Sequence, residues 1–216
     1  MKNRIFIIFL MLSYCSITYS QTDSIVNPNK KWFFGAEIGT NKILSFYYNE
    51  PTKSFQGGFI TEYYYSKKWS ITGRLKYFKI GASRGIVYNT YNNTVDLKNY
   101  HRFDGEVIAV PLNLKFEYKI FRNFRGNFKF GFALNQETKS EYQYPIGERT
   151  NYSTFFIDYN LGLGFNYYVN NNSAIYIESE FKGLGKDRDD LQTFITPNST
   201  DNSFFNFGVK HCFKKH

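Results

Sequence analysis

From Glu106 to Ile120 the chain reads EVIAVPLNLKFEYKI, and every second residue is apolar. Ile108, Val110, Leu112, Leu114, Phe116, Tyr118 and Ile120 share one side of an extended chain. Val107, Ala109, Pro111, Asn113, Lys115, Glu117 and Lys119 share the other. Side chains of a strand point alternately to opposite faces, so this period predicts a strand with one greasy and one polar side. Strands of ordinary globular domains run to about five or six residues. A strand more than twice that long is expected where a tilted strand must cross a bilayer.

The same texture recurs along the chain. Alternation predicts eight strands, near Trp32–Asn41, Phe55–Ser66, Trp69–Ser83, Glu106–Ile120, Asn127–Thr138, Tyr152–Asn170, Ser173–Leu184 and Ser203–Phe213. The run Tyr63-Tyr64-Tyr65 blurs the phase of the second. Three predicted connections are short: Lys67-Lys68, Phe121 to Gly126, and Asn171-Asn172. Four are long: Lys42–Ser54, Arg84–Gly105, Lys139–Asn151 and Gly185–Asn202. Long and short alternate in order, as in an up-and-down barrel with tight turns at one rim and extended loops at the other. The expected fold class is therefore all-β: an eight-stranded antiparallel up-and-down transmembrane β-barrel with sequence neighbours paired.

The start of the chain sets the compartment. Lys2 and Arg4 precede the apolar run Ile5 to Leu12, and Thr18-Tyr19-Ser20 puts small residues before Gln21, the three parts of a secretory signal. The run is too short for a membrane-spanning helix, which needs roughly 20 apolar residues. The expected organisation is a cleaved signal over 1–20, a short polar periplasmic segment over 21–31 and a barrel domain over 32–216. Cys15 admits a rival, lipoprotein processing, but bulky Tyr14 stands where such signals hold a small residue. Without Cys15 the chain keeps only Cys212, so the fold must stand without an internal disulfide.

Composition agrees with the barrel. Mean hydropathy is −0.46, low for a helical membrane protein but suited to a barrel in which only alternate residues meet lipid. The chain holds 24 Phe and 19 Tyr, enough to furnish aromatic girdles at the membrane interfaces. Net charge is +9, and loss of Lys2 and Arg4 leaves +7; no basic run or basic helical face accompanies it, so nucleic acid is not an expected partner.

Alternation does not say which side faces out. A lipocalin-like soluble barrel would turn the apolar side inward. Here the polar faces carry Glu37, Glu62, Arg74, Lys76, Lys115, Glu117, Lys129, Asp158, Glu178, Glu180, Lys182 and Lys210, charges of both signs that can pair across a narrow bore. Gly131, Gly162, Gly164 and Gly208 share that phase and would make room for a long Arg or Lys opposite. The apolar side, including Trp32, Phe34, Ile38, Ile71, Leu75, Phe128, Phe130, Phe132, Leu161, Leu163, Phe165, Ile175, Ile177, Phe205, Phe207 and Val209, is expected to face lipid.

VIAVPLNLKFEY at 107–118, FKFGFALN at 128–135 and the glycine-rich IDYNLGLGFNYYV at 157–169 resemble the outer-membrane β-barrel family called PorT-like. The resemblance spans the chain after the signal and lies in strand texture rather than in a catalytic signature. It implies an outer-membrane location and, for some members, a link to secretion machinery. Barrel chains usually end on an aromatic residue; here Lys214-Lys215-His216 follow Phe213.

No catalytic motif emerges. His101, His211 and His216 are the three histidines; there is no Gly-x-Ser-x-Gly, no His-x-x-x-His and no cysteine pair. Lys186-Asp187-Arg188-Asp189-Asp190 clusters carboxylates, but interleaved cations and the missing loop signature make it a solvated turn rather than a Ca²⁺ site. An eight-stranded bore is filled by side chains, which excludes a porin. The expectation is a non-enzymatic barrel without cofactor or metal, monomeric in outer-membrane lipid, whose loops serve envelope integrity, surface recognition or a secretion complex. The alternatives are a lipid-modifying barrel enzyme using His101 with a loop carboxylate, and a soluble periplasmic lipocalin-like binder.

Overall fold

The computed structural model describes residues 26–44, 50–51, 53–84, 87–89, 94–96, 101–143, 149–151, 155–183 and 201–213. Eight long strands form the molecule: β1 (Trp32–Leu44), β2 (Lys53–Tyr64), β3 (Trp69–Arg84), β4 (His101–Phe121), β5 (Phe124–Gln143), β6 (Phe155–Asn170), β7 (Ser173–Gly183) and β8 (Asp201–His211). Each pairs antiparallel with its chain neighbours, and β8 returns to pair with β1 from Phe34↔His211 to Leu44↔Asp201. The sheet is thus a closed eight-stranded antiparallel barrel. The signal segment proposed over 1–20 lies outside the described residues.

All the residues assigned above to the lipid side point outward and are exposed, Leu163 by 63%. All the charges assigned to the bore are buried. A soluble lipocalin-like barrel would show the reverse. On β4 the outward residues are apolar from Ile108 to Ile120, close to the roughly 9–11 residues a tilted strand needs to cross a bilayer. Above them the exterior turns ionic in one row across three strands, Lys79, Glu106 and Lys139, which pair in register. Lys79 and Glu106 form an ion pair at 3.2 Å.

The tight turns are shorter than expected at one corner. Predicted as a loop from Phe121 to Gly126, the β4–β5 connection is only Arg122 and Asn123, and pairing continues through Phe121↔Phe124. Arg122 takes a left-handed φ of 39° to close it. Phe124 belongs to the strand because it stacks on Phe165 of β6 at 5.3 Å, and Arg125 because it turns into the bore. The β6–β7 turn is Asn171-Asn172 as expected, and Tyr65–Lys68 joins β2 to β3.

At the other rim the strands run on past the apolar band. β4 begins at His101 and β5 ends at Gln143, each several residues beyond its expected limit, so His101 is a strand residue rather than a loop residue. Short pieces extend this wall, Glu50–Pro51 pairing with β3 and Arg149–Asn151 with β5, while Val87–Asn89 and Thr94–Asp96 form a separate two-stranded sheet. β6 is described from Phe155, β7 is described to Gly183, and β8 ends at His211, two residues short of Phe213.

The bore is packed by matching large to small across paired strands. Gly162 stands opposite Lys129, Gly164 opposite Glu178, and Gly208 opposite Tyr176. A Cβ at each would collide with that neighbour's side chain. The glycines therefore admit a Lys, a Glu and a Tyr, not only the cations expected. Gly208→Ala should push Tyr176 off its hydrogen bond to Glu37 and cost about 1–3 kcal/mol by urea titration of the folded barrel. Tyr176→Phe, which keeps the ring, should leave that clash in place, whereas Tyr176→Ala should relieve it in the double variant.

Candidate functional site in the bore and at the rims

Three layers of side chains fill the barrel. The lowest lies at the tight-turn end. Phe33, Tyr64, Tyr168, Ala174 and Cys212 cluster there with Val26, which comes from the segment before β1. That segment, expected as a plain lead-in, closes the mouth. Lys30 N–H donates to the Tyr64 carbonyl at 2.7 Å, and Tyr64 N–H donates to the Lys31 carbonyl at 3.1 Å. Arg125 donates to the Val26 carbonyl and lies over the Tyr168 ring at 5.1 Å.

Above Val26 the aromatic layer becomes ionic. The Tyr64 hydroxyl donates to Glu117, and Tyr168 donates to the same carboxylate at 3.1 Å. Lys210 donates to Glu62 at 2.6 Å and to the Tyr64 hydroxyl at 3.0 Å while facing the rings of Phe33, Tyr64 and Tyr168. Lys115 links this layer upward, pairing with Glu62 at 3.1 Å, Glu117 at 3.3 Å and Glu178 at 3.6 Å.

The middle layer is a continuous ion-pair network. Arg74 of β3 meets Glu37 of β1 at 3.0 Å and also pairs with Glu178 and Glu180 of β7. Lys76 bridges Glu37 and Glu180, each at 2.8 Å, and Lys129 bridges Glu178 and Glu180, each at 2.5 Å. The bonds cross the bore, since β3 and β7 are not sheet neighbours. In the upper layer the Lys182 ammonium sits 4.9 Å from the rings of both Phe78 and Phe204.

Among the described residues, seven buried carboxylates (Glu37, Glu62, Glu117, Glu137, Asp158, Glu178 and Glu180) meet seven buried cations (Arg74, Lys76, Lys115, Arg125, Lys129, Lys182 and Lys210). The bore is electroneutral. Burying each ion costs several kcal/mol in lost hydration, and close opposite charges work against that cost.

Sequence reasoning located twelve of these charges but not Arg125, which it left in a turn, nor Glu137. The aromatic excess was read as girdles, and Phe33, Tyr64, Phe78, Tyr168, Tyr176 and Phe204, which are buried inside, went unassigned. Strand phase carried the missing signal: Tyr168 and Asn166 keep step with Gly162 and Gly164.

Two residues near the rival catalytic reading lie in described strands. His101 pairs with Arg84 and Asp104 with Gly81 on the loop-end wall. His211 is exposed at the opposite rim, its Nδ1 2.9 Å from the Ser173 hydroxyl and its ring against Phe213. That position, beside the Asn171-Asn172 turn, accounts for a histidine on the lipid phase. His216, Cys15 and the 186–190 cluster lie outside the described residues. Among the described residues no group of His, Cys, Asp or Glu is set to hold a metal. A cleft of about 300 Å³ opens at the loop-end wall, with Lys79, Asp104, Glu106, Lys139 and Glu141 around it.

The architecture is shared with known barrels. Neisserial surface protein A superposes with a TM-score of 0.55 at 13% identity, over 84% of this chain and 97% of that one. Ail, the attachment invasion locus protein of Yersinia pestis, gives 0.51 at 12% identity over 86% and 99%. The outer membrane protein OprG from Pseudomonas aeruginosa gives 0.50 at 12% identity over 89% and 100%. At such identities the likeness is one of fold. No protein-family model matches the chain, and no curated protein does.

Removing one partner of the central network should be severe. Glu178→Leu leaves Arg74 with Glu37 and Glu180 and Lys129 with Glu180 alone, one carboxylate short for each, and should cost about 3 kcal/mol, read as a lower urea midpoint of the folded form. Glu178→Leu combined with Arg74→Met should cost less than the two single changes summed.

Proposed function

We propose that the chain is a non-enzymatic outer-membrane β-barrel that acts through its loop-end surface rather than through its bore. One observation carries this: an electroneutral ionic interior inside a continuous apolar exterior. Such polarity is unstable in water and stable across a bilayer, where the closed sheet also satisfies every backbone group internally. The solved barrels of the same architecture support the compartment.

The filled bore argues for a role other than diffusion. Charges from β1, β3, β5 and β7 interlock across it, and Val26 caps one end. What remains for recognition is the wall that β3, β4 and β5 raise above the apolar band, with the loops joined to it. Envelope integrity, surface recognition and service to a secretion complex all fit a barrel that displays loops. The strand-texture resemblance to the PorT-like family favours the last of these.

The exterior supplies the test. Leu112→Arg and Phe130→Arg place a charge within the apolar band and should each cost about 2–4 kcal/mol of folding stability in lipid vesicles. The unheated gel band of folded barrel should weaken in both. Unchanged assembly of both, or release of the wild-type protein from membranes by carbonate, would sink the proposal. His101→Ala should leave the lipid A mass spectrum of the host cell as it is with wild type; an altered spectrum would favour the enzyme.

A further inference from the structure

The two rims differ in charge. At the loop end the exposed and half-exposed ions are mixed: Lys42, Lys53, Lys79 and Lys139 stand with Asp104, Glu106 and Glu141. At the tight-turn end they are all cations: Lys30, Lys31, Lys67, Lys68, Lys119 and Arg122. Among the described residues no exposed carboxylate lies at that end, since Glu62 and Glu117 are sealed within the bore.

Each cation also adjoins an outward aromatic in the chain. Lys30-Lys31 precedes Trp32, Lys67-Lys68 precedes Trp69, Lys119 follows Tyr118, and Arg122 follows Phe121. These aromatics belong to a girdle: Trp32 packs on Tyr63 at 4.8 Å, Trp69 on Phe116 at 4.9 Å, and Phe116 stacks with Tyr118 at 6.4 Å. The Arg122 guanidinium lies 5.2 Å from the Phe121 ring. Aromatic belts sit at headgroup level, so cations one residue beyond them stand among the headgroups.

We propose that this rim is a collar that binds anionic phospholipid headgroups in the leaflet at the tight-turn end. It rests on the membrane assignment above. Three features favour lipid over a protein partner. The cations are spread over the entry to β1 and two turn corners instead of forming one patch. Their height matches the girdle. Among the described residues no exposed carboxylate stands beside them, as a surface meeting phosphates requires. The collar is open only at the neutral Asn171-Asn172 corner, where Lys31 Nζ donates to the Asn171 carbonyl at 2.9 Å.

The test uses the full chain reconstituted in phosphatidylcholine vesicles, with spin-labelled phosphatidylglycerol or spin-labelled phosphatidylcholine as the probe. Phosphatidylglycerol should associate with the barrel at least about threefold more strongly at low salt, and the preference should fade in 1 M salt. It should approach unity in the variant Lys67→Gln, Lys68→Gln, Lys119→Gln, Arg122→Gln, whose folding the unheated gel band reports. Equal association of the two lipids with the wild type overturns the collar, and this is also the outcome if the rim docks an acidic protein. A preference that persists in 1 M salt overturns it whether or not the variant folds. Barrel retained in carbonate-washed vesicles without headgroup preference defeats the collar alone; barrel released by carbonate defeats the membrane assignment with it.

Discussion

Everything in this molecule depends on sealing fourteen ions inside a narrow cylinder. A charge moved out of water is tolerable only when its partners are close, fixed and of the opposite sign. The antiparallel registers bring Glu37, Glu178 and Glu180 within reach of Arg74, Lys76 and Lys129 from across the bore. The same network ties opposite walls together, a task an apolar core performs in a soluble domain. With the interior committed to ions, the apolar residues are left for the outside, and a lipid environment follows from that division.

The strand texture was legible because only one face of each strand meets lipid. Where the contrast between faces is strong, as from Ile108 to Tyr118, expectation and structure agree residue by residue; Lys119, expected on the inner side, is exposed beside the register shift at the turn. Where both faces are polar the period disappears. His101–Gly105 and Lys139–Gln143 carry no apolar stripe, so their membership of β4 and β5 could not be read; pairing with each other is what makes them strands. The β4–β5 corner was missed for another reason. Phe124-Arg125-Gly126 resembles a loop in composition, yet Phe124 has a stacking partner on β6 and Arg125 a buried role that no local pattern reveals.

The interior aromatics show a further limit. Excess Phe and Tyr pointed to girdles, and a girdle does surround the tight-turn rim. The count could not show that Phe33, Tyr64 and Tyr168 turn inward to floor the bore, or that Val26 reaches back to join them. That arrangement depends on side chains from distant strands meeting in one layer. The balance of seven carboxylates and seven cations likewise became visible only after Arg125 and Glu137 found their places.

The seam between β1 and β8 has a kinetic meaning. Every other rung joins neighbours in the chain, but Phe34↔His211 spans nearly its whole length. Until the final strand arrives, β1 and β7 each present a row of unanswered amide and carbonyl groups, an invitation to stray association. A polypeptide of this design therefore carries two open edges until its two ends have met, and the speed of that last closure sets how long they stay exposed.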